Sequence, residues 1–515
     1  MKCKVKKILT HGSKYCQLYI ISKTKLHLPE ENHMETNDLK YGMFANAPDL
    51  VDTIPALGKL KKACPQYIAQ AETAQRIARK FAREEMLPRV LAIDTECNKN
   101  PRYVDWDLWQ KANHLKLNIA AIPVKLGGLG WSALDNAVLV EELASVCLAN
   151  AANITFNTFG LLGALVECKT DIVLKIIRMM TDAQEKGEPL FWAWAITEPG
   201  AGTDMEDGEA MALMKPSTNA RKVPGGYRLN GTKCFITNGS LAHYVIATIP
   251  MDPSHPRESM ATFFVPADTK GFSIGRIERK CGQKASQTAE IFFDDVFVPE
   301  ENLWEPPGRG LRHTREILSI TRGYIGLCGA AMARGALDHC IQFAHRKKIK
   351  NHRLLDEDWV KFAISDMMKD IMAVRAACYN FAISMDTYHV WSLFEKLPIK
   401  VSLKTLSKKL ILGDFVMNLA RNKLISLAGS RYKAGIVTDK LVEKFVTEGS
   451  ALKVSGTDLA VRVSSRVLDI VGLEGMAYDL GIEKYFRDAK VTQIYEGSNQ
   501  ANRIDLFHNT IGMLS

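Results

Sequence analysis

The hydrophobic period changes twice along this 515-residue chain, and that alternation constrains the fold more than any other feature. From about residue 55 to 190, apolar residues recur at helical spacing, most clearly in AETAQRIARKFAREEMLPRVL and LDNAVLVEELASVCLANAA. From about 190 to 300 the period becomes two, in GGYRLNGTKCFITNG, ATFFVPAD, GFSIGRIERK and TAEIFFDDVFVP, with Gly and Pro between them. From about 310 the helical period returns in REILSITRGYIGLCGAAMARGALDHCIQFAHRK, DWVKFAISDMMKDIMAVRAACYNFAISM and TEGSALKVSGTDLAVRVSSRVLDIVG. The pattern predicts an α+β protein, mainly helical: an N-terminal helical domain (51–190), a middle β domain (191–305) and a C-terminal helical bundle (306–515). Residues 1–50 read as a weakly ordered extension, in which Met34 is an alternative start. A basic, partly apolar stretch near 388–440 reads as an insertion, with extra subunit interface preferred over a membrane-surface contact or a cover over the ligand. Asn230-Gly231 predicts a hairpin turn. Gly127, Gly128 and Gly130 read as a turn rather than a dinucleotide loop, since no buried strand precedes them and no acid follows at the required offset.

Composition narrows the function classes. Lys and Arg outnumber Asp and Glu by 67 to 57, a mild excess for this length, and no basic run is interleaved with aromatics as nucleic-acid binding requires. Eleven cysteines stand singly without a C-x-x-C pair, which fits a reducing compartment and no metal centre. No uninterrupted apolar run approaches the ~20 residues of a bilayer span. No Arg precedes Arg76, against an Arg-rich transit peptide, so a prokaryotic cytoplasm is expected, with a mitochondrial matrix as the alternative.

Three stretches carry chemistry. In WAWAITEPGAGTDMEDG an apolar strand runs into Pro199, which stops a ladder, and into Gly200 and Gly202, where backbone can approach a ligand. The hydroxyls of Thr197 and Thr203 add donors, suiting a flat heterocycle or a phosphate, or simply a strand-end turn. TKCFITNG places Phe235 and Thr237 two residues apart on one face of a strand, able to cover one ring system or to pack a core. In VTQIYEGSNQANRI an apolar half gives way at Tyr495 to Glu496, then Gly497 and amides; that acid is either a helix cap or a base held away from water.

Four motifs together resemble the acyl-CoA dehydrogenase family: A-x-T-E-P-x-A-G-[ST]-D, N-G-x-K-x-[WF]-I-T-N-G, G-Q-K-A-S-x-T-A-E-I-F-F-D-D-V-x-V-P and R-D-A-K-x-x-Q-I-Y-E-G-[ST]-x-Q, in the family's order across roughly 55–510. The resemblance implies a middle β-barrel, a C-terminal four-helix bundle, bound FAD and an acyl-CoA substrate. It implies that Trp194, Ile196 and Thr197 contact the flavin, that Thr203 lies near flavin and thioester, and that Phe235 and Thr237 cover the isoalloxazine ring. It likewise assigns Ser498 and Gln500 to the cofactor, and Arg346 to the FAD of a neighbouring subunit in a homodimer or homotetramer. Glu496 becomes the base that takes the α-proton while the β-hydride goes to flavin N5 and the electrons on to an electron-transfer flavoprotein. Tyr495 would wall the acyl pocket, Gly497 would admit the substrate to the backbone, the N–H of residue 496 would donate to the thioester oxygen, and Arg322 would lie close to the substrate. The site some relatives use for the base reads Ser319-Ile320-Thr321-Arg322 here, without an acid. Residues 141–168 contain no Lys or Arg, which disfavours a glutaryl-type acyl group. The chain departs from the family at Arg346-Lys347-Lys348-Ile349-Lys350 and at Asp469–Gly475, both elements that contact FAD across a subunit interface in relatives. An oxygen-using acyl-CoA oxidase or monooxygenase, and a non-catalytic assembly scaffold, are the alternatives.

Overall fold

The computed structural model describes residues 42–46, 49–167, 169–202 and 208–511. The N-terminal extension to residue 41 and Thr203 therefore lie outside the described residues. The first helical zone is built on α1 (Pro65–Phe81), α2 (Ala133–Thr155), α3 (Phe159–Glu167) and α4 (Thr170–Lys186). Ser132 caps α2, accepting from the Asp135 N–H while Asp135 returns the bond to the Ser132 N–H, a reciprocal pair that fixes where the helix starts. The segment Ala133–Thr158 is apolar and long enough to cross a membrane by composition, but 89% of an apolar 18-residue window within it is buried, and it serves as a core helix. Glycines 127, 128 and 130 form a compact turn before it: Gly127 and Gly130 have positive φ, and a Cβ on Gly128 would meet the Ile122 carbonyl oxygen at 2.1 Å.

The period-two zone forms two four-stranded sheets. One has the order β1 (Trp192–Ala195), β4 (Tyr244–Pro250), β5 (Met260–Pro266), β8 (Leu303–Glu305); the other runs β2 (Asn219–Val223), β3 (Gly226–Thr237), β7 (Thr288–Pro299), β6 (Phe272–Ile277). Ala193, Ala195, Leu229, Val245, Phe263 and Ile291 meet in the core between them. The hairpin turn falls at Pro224-Gly225, not at Asn230-Gly231. β3 continues through the Asn-Gly pair as a bulge, with Gly231 at φ +114° and Asn230 Oδ1 accepting the Asp295 N–H. The pair supplied positive φ, as expected, but the cross-strand partners on both sides kept the ladder running.

The C-terminal zone packs α5 (Gly310–Arg346), α6 (Asp358–Tyr388), the short helices α7 (Leu397–Thr405), α8 (Lys408–Ile411), α9 (Asp414–Ala420) and α10 (Lys423–Ile436), then α11 (Asp439–Gly475), α12 (Ile482–Thr492) and α13 (Asn499–Ile511). α5 and α11 cross at glycines: a Cβ on Gly456 would sit 1.9 Å from the Gly326 carbonyl oxygen, and one on Gly329 2.3 Å from Gly456 backbone. This close crossing lies on the same helix as Thr321 and Arg322, which meet Glu496 and Asp505. Gly456→Val should therefore lower stability by at least about 2 kcal/mol through overpacking, read as a lower urea midpoint. An unchanged midpoint would mean that the crossing is looser than described.

Candidate active site

Glu496 lies in the turn between α12 and α13, and the turn is left-handed at two successive residues: φ is +57° at Glu496 and +78° at Gly497. Glycine adopts that conformation freely, whereas for glutamate it costs about 1–2 kcal/mol. Buried donors hold it in place. Arg322 Nε donates to the Glu496 carbonyl at 3.3 Å, Lys453 Nζ to the Gly497 carbonyl at 2.6 Å, and Asn502 Nδ2 to the Gly497 carbonyl at 2.9 Å and the Ser498 carbonyl at 3.0 Å. Both cations are fully buried. Arg322 is balanced by Asp505 at 2.5 Å and bonds Ser450 at 2.8 Å; Lys453 also donates to Asn499 Oδ1 at 2.6 Å. Arg322, expected from sequence as an interior residue close to the substrate, is packed beneath the turn, where it shapes the backbone that carries Glu496. Lys453, Asn499 and Asn502 were not singled out from sequence, although the run of amides after Gly497 was their visible trace.

The strained turn aims the carboxylate at α5, where Thr321 Oγ1 donates to Glu496 Oε2 at 2.6 Å. Burial raises the Glu496 carboxyl above the ordinary carboxylate range, against the opposing pull of the Thr321 hydroxyl, Arg322 and Lys453. Among the described residues, the Glu496 N–H donates no hydrogen bond within the chain.

Thr321 also lines a cavity whose other walls include Val140, Phe156, Leu161, Leu165, Ile325 and Trp391. Among the described residues, none that lines it is charged. Its polar hydroxyls are spent on the protein itself: Thr155 donates to Ala151 O, Thr158 to Thr155 O and Tyr324 to Ala133 O. Cys328 lies in the same wall and neighbours Glu496, but burial pushes its thiol up to about 12, so it is no competitor as a base near neutral pH. Tyr495 packs on the core next to it. Trp391 shows that the start of the 388–440 stretch walls this cavity from within the same chain.

On the far side, the turn Phe156–Thr158 that lines the cavity touches β1. Ala193 and Ala195 point into the core between the two sheets, leaving Trp194, Ile196 and Thr197 half-buried outside it. The Thr197 carbonyl accepts the Cys234 N–H at 2.9 Å, which sets this motif beside Phe235 and Thr237. Phe235 and Thr237 flank the buried Ile236, but not as a plain strand: the register shifts between Lys233 and Ile236, and Phe235 has φ +56° with its ring 59% exposed. A bulge re-aims a side chain, and here it turns an aromatic ring out of the sheet. The loop is anchored from below by Glu198 and Lys233, a wholly buried pair at 2.8 Å. Lys233 Nζ also donates to Ile196 O at 2.7 Å and Thr248 O at 2.6 Å, while Glu198 accepts the Ser217 and Thr218 N–H groups. Burial alone would raise the Glu198 carboxyl, but Lys233 and these donors hold it below the usual range. An outward aromatic, a fixed backbone edge and the partnerless indole N–H of Trp194 fit a flat heterocycle. Of the other expected cofactor residues, Ser498 caps α13 by accepting the Ala501 N–H, Gln500 is exposed, and Arg346 is exposed at the end of α5.

The chain matches the N-terminal domain of acyl-CoA dehydrogenase over residues 69–184, the middle domain over 193–296, and the C-terminal domain over 308–397 and 426–509. It is 27% identical to cyclohex-1-ene-1-carbonyl-CoA dehydrogenase of Syntrophus aciditrophicus (strain SB), across 83% of this chain and 86% of that one. Among solved structures it superposes on butyryl-CoA dehydrogenase from Megasphaera elsdenii with a TM-score of 0.66 and 23% identity, covering 86% of this chain and 98% of that one. The structure of PigA with FAD and proline gives a TM-score of 0.65 at 17% identity, covering 86% and 97%. At those identities the two solved structures speak for the fold alone, and the domain matches carry the assignment: the chain belongs to the acyl-CoA dehydrogenase family of flavoprotein oxidoreductases.

Proposed function

We propose that this protein binds FAD and removes the α-proton of an acyl-CoA thioester with Glu496. The observation that carries this reading is a lone carboxylate, raised in basicity by burial, hydrogen-bonded to Thr321 at the wall of an uncharged cavity. A carboxylate in water, with a pKa near 4.3, is too weak a base for a carbon acid, and desolvation moves it toward the required strength. The unengaged N–H of Glu496 would donate to the thioester oxygen as negative charge gathers there. Trp194, Ile196, Thr197, Phe235 and Thr237 would hold the flavin, with Thr203, Arg346, Ser498 and Gln500 as further contacts. When bound, FAD supplies a two-electron acceptor for the β-hydrogen, and an electron-transfer flavoprotein then takes the electrons. The described lining residues include no arginine or lysine, which favours an uncharged acyl terminus, a class that includes the alicyclic group in the name of the Syntrophus relative.

Glu496→Gln should cut turnover by at least about 10³-fold while the yellow flavin remains bound. Turnover within a few-fold of wild type would reassign the base. The pH profile provides a second test. The base must be ionised, so kcat rises with pH through the Glu496 pKa and levels off above it. Thr321→Val removes a donor that favours the ionised form, and its half-maximal pH should move up by about one unit. A profile superimposable on wild type would mean that Thr321 does not touch the working carboxylate.

A further inference from the structure

We propose that the face built by α7 to α10 docks onto an anionic lipid surface. This region includes residues 398–425, the stretch that the C-terminal domain match skips. It is a fixed part of the fold. Ile411 and Leu412 are buried in a core with residues of α3 and α4. Lys408 pairs with Glu185 at 2.5 Å, Asp414 with Arg178 at 2.6 Å, and buried Lys433 with Glu316. The inner side of these helices is therefore seated on the domain that walls the acyl cavity.

Their outer side is apolar where a water-facing helix is normally polar. Phe415 and Leu424 are each 76% exposed, and Leu419, Leu427, Val401 and Leu410 are all at least 45% exposed. Phe415 and Leu419 stand four residues apart on α9, and Leu424 and Leu427 three apart on α10, so each helix turns an apolar ridge outward. Charge selects the occupant. Between residues 396 and 440 there are ten Lys and Arg, of which Lys408 and Lys433 are paired inward with Glu185 and Glu316, but only Asp414 and Asp439 as acids. Both acids are paired with arginines from outside the segment, Arg178 and Arg312. A second copy of this face would bring cations against cations, whereas an anionic bilayer complements them. Short helices with outward Phe and Leu among lysines have the composition that seats at a headgroup boundary.

The test is co-sedimentation of the full-length protein with phosphatidylcholine vesicles and with vesicles carrying about one-third phosphatidylglycerol. The bound fraction should be about tenfold higher on the anionic vesicles, and high salt should reverse it. Phe415→Ser with Leu424→Ser, at exposed positions, should abolish binding with dye-reduction activity unchanged; Lys404→Glu with Lys409→Glu should weaken it about tenfold. Failure of the wild-type protein to sediment with anionic vesicles, or equal binding to both kinds, overturns the proposal. So does an oligomer that the serine pair dissolves without any vesicle binding, which would make the face a subunit interface.

Discussion

Two buried cations gripping two consecutive carbonyl groups are the interaction on which this site depends. Glutamate does not choose a left-handed backbone, and the Glu496–Gly497 turn would relax if its carbonyls were free. Arg322 and Lys453 prevent that from inside the bundle, and each is itself satisfied, by Asp505 and by Asn499. The arrangement separates two requirements that conflict in one side chain. The backbone of Glu496 is held by full charges, while its carboxylate is left with one neutral hydroxyl donor and a desolvated surrounding. A cation directly on the carboxylate would have lowered its basicity.

The rest of the fold brings walls to that carboxylate. The glycine crossing of α5 and α11 sets Arg322 and Lys453 at one depth, and α5 carries Thr321 and Cys328 along the cavity. The first domain closes the cavity with α2 and α3, and β1 lies against its far side through the Phe156–Thr158 turn. A second buried ion pair, Glu198 with Lys233, does for the loop of the β domain what Arg322 and Lys453 do for the turn: it pins backbone so that the outward atoms stay available.

Much of this was legible in the sequence because hydrophobic period reports burial directly. The three-zone order and the long helices follow from it, and the Tyr-Glu-Gly run marked the turn. What escaped were residues whose role depends on partners distant in sequence. Nothing local distinguishes Lys453 from any lysine on an amphipathic helix; its burial is decided by a loop 44 positions on. Arg322 was noticed, but its depth and its partner Asp505 could not be read from spacing. Asn230-Gly231 misled because a residue pair reports allowed φ, and both a hairpin turn and a bulge use positive φ. The bulge at Phe235 was hidden for the reverse reason, since an aromatic amid strand residues carries no signal of a left-handed backbone.

The account turns on where the Glu496 carboxylate stands when both ligands are present. The most direct measurement is a crystal structure of the FAD-loaded protein with an acyl-CoA analogue whose β-carbon is replaced by sulfur, so that it binds without being oxidised. The account predicts a Glu496 oxygen within about 3.5 Å of the α-carbon, the turn at 496–497 unchanged and the thioester oxygen facing the Glu496 N–H. A carboxylate turned away from the α-carbon, or an acyl chain lying outside the cavity lined by Thr321 and Trp391, would contradict it.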